Sequence, residues 1–145
     1  MDLVRNKPRL LTVLALLIWM GIILFMSSRS SLSEDSSMVS WLGQYQDEAG
    51  HLGEYAILGL LTYAFLCFSM ARRQAVMVGS ALCVGFALGD EFFQSFIPNR
   101  TPETKDILLD ALGATIGVAA AALLATRLRT FITRPGTSED RKGNS

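Results

Sequence analysis

Four long apolar stretches with very few charged residues constrain the fold of this chain more than any other feature. They cover residues 10–26, 52–71, 75–89 and 107–126. The first and third carry no charge, and the other two carry only Glu54 and Asp110. A helix needs about 20 apolar residues to cross a bilayer core of roughly 30 Å, whereas soluble amphipathic helices keep a charged face. We therefore predict an all-α, polytopic membrane protein with four transmembrane helices.

The basic residues lie mainly on one side of this predicted bundle. Ten of them fall in the N-terminus, in the second connection and in the tail: Arg5, Lys7, Arg9, Arg72, Arg73, Arg127, Arg129, Arg134, Arg141 and Lys142. Only Arg29, Arg100 and Lys105 fall on the other side. Because Lys and Arg favour cytoplasmic loops, we predict that both termini are cytoplasmic and that the loops 27–51 and 95–106 face outward.

These patterns divide the chain into three parts. Residues 1–9 form a cytoplasmic N-terminus, residues 10–126 form the four-helix domain, and residues 127–145 form a disordered cytoplasmic tail. The first apolar stretch is longer than the core of a signal peptide and lacks a following A-x-A-like cleavage site, so a retained anchor is favoured. The 13 basic and 13 acidic residues cancel, which argues against a nucleic-acid partner. The predicted location is the cytoplasmic membrane of the cell.

Acidic residues from three separate segments meet at the outer end of the predicted bundle. Helical spacing places His51 beside Glu54 and Asp90 beside Gln94. Asp110 continues a stripe with Gly113 and Gly117 that should face the other helices. A second GxxxG pair, Gly85 and Gly89, also predicts a close helix contact. The candidate binding residues are Asp47, His51, Glu54, Tyr55, Asp90, Glu91, Gln94, Arg100, Asp106 and Asp110.

This polar cluster has three interpretations. An ionisable group costs roughly 2.5–3.5 kcal/mol at the bilayer centre on insertion scales. The carboxylates could pair structurally with Arg100, Lys105 and His51, or they could lie in water at the helix ends. They could instead line a polar pocket that opens outward and serves a function.

The same residues resemble a known family. The relevant strings are Asp47 with His51-Leu-Gly-Glu54-Tyr55, Gly89-Asp90-Glu91-x-x-Gln94 with Pro98-x-Arg100, and Asp106-x-x-x-Asp110-x-x-Gly113-x-x-x-Gly117. Across residues 10–126 the chain resembles the VanZ-like family of small bacterial integral membrane proteins. Its namesake is associated with resistance to the glycopeptide teicoplanin, so the resemblance implies a role at the cell envelope. This chain has Glu48 where the family commonly has Lys, and Asp110 where it often has Asn.

Three functions fit these observations. The favoured one is binding or modulation of an envelope lipid, a glycopeptide or a partner protein. The second is a membrane-embedded enzyme acting on a lipid head group, with candidate catalytic residues His51, Glu54, Asp90, Glu91 and Arg100. In this function His51 would act as general acid or base, and no serine or cysteine lies near it in sequence. The third is a small cation- or proton-linked transporter, for which four helices would require an oligomer.

A metal is predicted only in general terms. A divalent cation suits several carboxylate oxygens and is compatible with all three functions. Zinc is disfavoured, because the cluster contains one histidine and no cysteine. The cysteines, Cys67 and Cys83, lie in apolar stretches and are predicted to be packing residues.

Overall fold

The structure, a computed structural model, describes residues 2–28, 40–98 and 103–132, with side chains for 6–28, 48–98 and 103–131. Within these ranges the chain forms four helices, α1 (Asp2–Ser27), α2 (Ser40–Leu66), α3 (Arg72–Gln94) and α4 (Thr104–Ile132). The all-α prediction is confirmed. Among the described residues, three segments are long and apolar enough to cross a membrane: Asn6–Ser27, Arg72–Gln94 and Thr104–Phe131. These three lie in α1, α3 and α4.

Helix α2 differs from the other three in polarity. It begins at Ser40, so residues 40–51, which we predicted to lie in an outer loop, are helical. It ends at Leu66 rather than at the predicted Ala71. The mean hydropathy of α2 is lowered by His51, Glu54 and several glycines. Helix α2 is therefore not among the segments that are apolar enough to cross a membrane by themselves. A fourth membrane span therefore stays a prediction.

The end of α4 corrects a second boundary. The helix continues to Ile132, so the disorder predicted from residue 127 onward is wrong for residues 127–132. The physical reason is that apolar stretches indicate the bilayer core and not the end of the helix, and the added residues include the good helix formers Arg127, Leu128 and Arg129. The rest of the predicted tail, residues 133–145, lies outside the described residues.

The contacts between helices define their relative directions. Arg9 near the start of α1 lies 5.9 Å from the ring of Phe65 near the end of α2, so α1 and α2 are antiparallel. A short connection, residues 67–71, then reverses the chain into α3. The early and later residues of α2 meet early and later residues of α4 in the same order, so these two helices are parallel. The starts of α2 and α4 and the ends of α1 and α3 therefore lie at one end of the bundle.

Helices α2 and α4 make the closest contact in the bundle. A Cβ on Gly113 or Gly117 would collide with the α2 backbone at Leu52 or Ala56. A Cβ on Gly59 would likewise collide with the α4 backbone at Ala114. The stripe that carries Asp110 thus faces another helix, as we predicted. This packing follows from the small residues, which let two backbones approach each other.

The predicted close contact at Gly85 and Gly89 is wrong within the described residues. No atom lies within 4 Å of a Cβ built on either glycine, and both residues are exposed. The opposite face of α3, including Ala75, Gly79, Cys83 and Ala87, is buried instead. A GxxxG spacing permits a close contact but does not select the face that makes it.

Large apolar side chains cover much of the outside of the bundle. Leu11, Ile18 and Phe25 on α1 are each at least 60% exposed, and α4 exposes Leu108 and Leu128 in the same way. Exposed apolar surface of this extent would promote aggregation of a soluble protein in water. On helices long enough to span a bilayer, such side chains can contact lipid, which supports a membrane protein.

Candidate functional site

A buried carboxylate, that of Asp90, forms the centre of one polar group. Asp90 is 2% exposed. Its Oδ2 accepts hydrogen bonds from the hydroxyl of Ser27 at 2.8 Å, the amide of Gln94 at 3.2 Å and the hydroxyl of Tyr55 at 3.4 Å. Its Oδ1 is buried and has no hydrogen-bond partner among the described residues. We call Ser27, Tyr55, Asp90 and Gln94 the Asp90 cluster.

Three helices position the Asp90 cluster. Ser27 is the last residue of α1, and Gln94 is the last residue of α3. Asp90 and Gln94 lie four residues apart on α3, so their side chains share one face of that helix. Gln94 also donates to the Ser27 hydroxyl at 3.3 Å, which links the ends of α1 and α3 directly. Tyr55 completes the cluster from α2, where it is fully buried.

A second polar group joins α2 to α4. His51 Nδ1 lies 3.0 Å from Asp110 Oδ1, and its Nε2 lies 4.0 Å from Asp106 Oδ2. The side chain of Asp110 is only 1% exposed, whereas those of His51 and Asp106 are 16% and 22% exposed. We call these three residues the His51 group. It runs from the partly exposed Asp106 to the buried Asp110.

The electrostatics of the His51 group favour a charged imidazole. The hydrogen bond with Asp110 raises the pKa of His51 above its usual value, because the carboxylate stabilises the imidazolium. Burial opposes this effect, and the charges of Asp110, Asp106 and Glu54 add to it. His51 lies just before the apolar stretch of α2, and its side chain is partly exposed.

The two groups adjoin each other. Tyr55 follows His51 by four residues on α2, so their side chains share one face of that helix, and the charges of Asp90 and Asp110 are near enough to influence each other. The Asp90 cluster and the His51 group therefore lie side by side at one end of the bundle, and we call them together the polar layer. Sequence spacing alone could not show this, because its members come from four different helices.

The other predicted site residues lie beside the polar layer, at its edge or outside the described residues. Glu91 is buried beside Asp90, and Glu54 is half-buried. Glu48 and Lys105 contact each other across α2 and α4, so Lys105 pairs with Glu48 at the edge of the layer. Arg100 and the side chain of Asp47 lie outside the described residues.

Two members of this region were missed by the sequence analysis. Ser27 hydrogen-bonds directly to Asp90, although it stands at the end of an apolar stretch without a polar motif. Trp19 donates its indole N–H to the backbone carbonyl of Glu54 at 2.9 Å. The position of Trp19 within a span was a usable signal, since a buried indole N–H normally finds an acceptor. Nothing in the local sequence distinguishes Ser27 from the serines that follow it.

Metal binding gains no support from the described side chains. Among them, no group of three or more His, Cys, Asp or Glu residues is arranged to hold a metal ion. The divalent cation therefore stays a prediction. Cys83 is buried and donates its thiol to the Thr62 hydroxyl at 3.5 Å, which fits a packing residue. Cys67 is exposed near the end of α2.

Comparison with known proteins agrees with these features. The model of the VanZ/LLP1 family matches residues 12–125, a range that includes every residue of the polar layer. No curated protein and no solved structure matches the chain. A family model that covers most of a chain, together with three helices apolar enough to span a membrane, identifies the class of protein. The chain therefore belongs to the VanZ/LLP1 family and is a membrane protein of the VanZ type.

Proposed function

We propose that the polar layer binds or modulates a component of the cell envelope, and that this activity is linked to glycopeptide resistance of the teicoplanin type. The observation that supports the proposal best is the burial of two carboxylates, Asp90 and Asp110, at one end of a membrane bundle. The proposed layer is the base of an outward-facing polar pocket, which Asp47, Arg100 and the other candidate residues would complete.

The energetic argument starts from the cost of buried charge. Each ionised carboxylate in a span costs roughly 2.5–3.5 kcal/mol at the bilayer centre, and less near the ends. The bundle contains both Asp90 and Asp110, where apolar residues of similar size would pack without that cost. Hydrogen bonds from Ser27, Gln94 and His51 recover part of the free energy. Intramembrane ionisable residues of this kind generally mark binding or transport sites.

The direction of the layer follows from the distribution of basic residues. Arg72 and Arg73 begin α3, and Arg127 and Arg129 lie near the end of α4, which is the end of the bundle opposite Asp90. Since basic residues favour the cytoplasmic side, both chain termini would be cytoplasmic and the polar layer would face outward. The proposed location is the cytoplasmic membrane, with α2 as a fourth span.

Photo-crosslinking in living bacteria tests binding directly. A photoreactive benzoyl-phenylalanine at Ile97, three residues beyond Gln94, should yield adducts with an envelope component that mass spectrometry can identify. The same label at Met77, which is 63% exposed near the other end of α3, should yield only bulk lipid. Glu91→Gln should lower the specific adduct roughly tenfold, the ratio that one hydrogen bond to a charged group supplies.

Two results would contradict the proposed binding. One is identical adducts at both labelled positions. The other is an adduct at position 97 that does not change in Glu91→Gln at equal protein abundance. The resistance component is tested separately with teicoplanin: cells that express the chain should tolerate a higher concentration than cells that express Glu91→Gln.

A membrane-embedded enzyme is the second candidate, and the His51–Asp110 contact favours it. A carboxylate on Nδ1 orients the ring and leaves Nε2 to exchange a proton with a substrate. The substrate class would be an envelope lipid head group. Mass spectrometry of lipids from cells with wild-type protein or His51→Gln distinguishes the two functions. A head-group species that depends on His51 would favour catalysis, and an unchanged lipid composition would favour binding.

A further inference from the structure

We propose that the Asp90 cluster binds a primary ammonium group through Asp90 Oδ1. This inference deepens the proposed function, because it names the chemistry that the polar layer recognises. Asp90 is only 2% exposed. Its Oδ2 accepts hydrogen bonds from three donors. Its Oδ1 has no hydrogen-bond partner among the described residues. A buried carboxylate oxygen without a partner is unfavourable unless a donor occupies the adjacent position.

The surrounding charge favours a cation. Glu91 follows Asp90 on α3, and the basic residue of the polar layer, His51, is paired with Asp110 and not with Asp90. Ser27 and Gln94 are the last residues of α1 and α3, so two helix C-termini converge on the cluster. A helix C-terminus carries partial negative charge. The positive N-terminus of α4 is already matched by Asp106 in its first turn.

The donor set favours an ammonium group over a metal ion. Divalent cations such as Ca²⁺ need six to eight oxygen ligands, and no group of three or more metal-binding side chains forms among the described residues. A primary ammonium has three N–H donors on one compact charge. One of these donors can satisfy Asp90 Oδ1. A quaternary ammonium carries the same charge but has no N–H to donate.

The depth of the cluster suits a lipid head group. Asp90 lies four residues before the end of α3, which is about 6 Å along the helix axis. Ser27 lies at the very end of α1. The cluster is therefore close to the level at which the apolar spans end. An amine at that depth can belong to a lipid head group or to a free amine that enters from the aqueous side.

Native mass spectrometry of the purified full-length protein tests the inference. The protein is exchanged into micelles that contain phosphatidylethanolamine or phosphatidylcholine with identical acyl chains. Both lipids carry a phosphate, so a difference in retention reports the primary ammonium. We expect roughly tenfold greater retention of phosphatidylethanolamine, the ratio that one hydrogen bond to a charged group supplies. Asp90→Asn should remove this preference, because it keeps the shape of the side chain and removes its charge.

Controls separate recognition from folding and from general charge. Glu103→Gln removes an exposed carboxylate just before α4 and should keep the preference. The comparison of the two lipids on wild-type protein needs no variant. It therefore tests the preference for a primary ammonium even if Asp90→Asn does not fold. Ethylammonium chloride added with phosphatidylethanolamine identifies the source of the amine. Competition supports recognition of the free ammonium, and lack of competition supports recognition of the ammonium as part of a lipid.

Two results would overturn the inference. Equal retention of both lipids by wild-type protein is the first, and an unchanged preference in folded Asp90→Asn is the second. Either result, combined with a specific adduct at position 97, would reject the ammonium group while leaving the proposed envelope binding intact.

Discussion

The contact between α2 and α4 predicts that Gly117→Ala destabilises the bundle. The new Cβ would lie 2.7 Å from the carbonyl carbon of Ala56 and 3.0 Å from its Cα, and it would also collide with the carbonyl oxygen. These are backbone atoms, which cannot move aside by changing a rotamer, so the two helices must separate. Overpacking of this kind costs about 3 kcal/mol at the upper end of the usual range. Helix propensity returns about 1 kcal/mol, which leaves a net loss of about 2 kcal/mol.

Gly85→Ala is the matched control for this prediction. It makes the same chemical change within a GxxxG pair, but no atom lies within 4 Å of the new Cβ. The gain in helix propensity is common to both variants and cancels in their comparison. The unfolding free energies of Gly117→Ala and Gly85→Ala should therefore differ by about 3 kcal/mol, the cost of overpacking.

Titration with SDS in mixed micelles, followed by tryptophan fluorescence, measures both unfolding free energies. We expect Gly117→Ala to unfold at a lower SDS fraction than wild-type protein and Gly85→Ala to unfold at the same fraction or a higher one. Equal shifts in the two variants would refute the reasoning, because they would show that α4 does not approach the α2 backbone through Gly117.

Three further predictions concern the polar layer and its orientation. Because Asp110 raises the pKa of His51, stabilisation by the imidazolium is fully present below about pH 6.5 and is lost as the pH rises through the folded value; NMR titration of this single histidine should show a lower pKa in Asp110→Asn. Trp19→Phe removes the hydrogen bond to the carbonyl of Glu54 and should lower the unfolding free energy by about 1 kcal/mol in an SDS titration followed by the fluorescence of the remaining tryptophan, Trp41, whereas no change would show that the bond contributes nothing. A cysteine placed in residues 99–104, in a background without the native cysteines, should react with an impermeant reagent in intact cells; reaction only after lysis would reverse the orientation.

The helices themselves could be predicted because their signal is local. Apolar stretches of bilayer length indicate a helix wherever they occur, and the all-α fold follows from them. The ends were less accurate for the same reason. Residues 40–51 and 127–132 are too polar to be counted in the apolar stretches, but they are helical. Helix α2 also shows that polar residues within a stretch can reduce its hydropathy below that of an unambiguous span.

The polar layer was only partly predictable. The pairs within one helix, such as Asp90 with Gln94, follow from a spacing of four residues. The stripe of Asp110, Gly113 and Gly117 was correctly assigned to a helix contact. Glycines allow close approach of two helices, and a carboxylate is unfavourable on a face that contacts lipid. The identical reasoning was wrong for Gly85 and Gly89, where a different face of the helix is buried.

The sequence by itself determined the class of protein, the helical segments and the gathering of acidic residues toward one end of the bundle. Each of these depends on composition along one segment or on the periodicity of one helix. Only the tertiary structure decided that Ser27 reaches Asp90 and that His51 joins Asp110. These contacts depend on the rotation and axial position of one helix relative to another. Packing of side chains across the whole interface sets both quantities, and no local pattern encodes them.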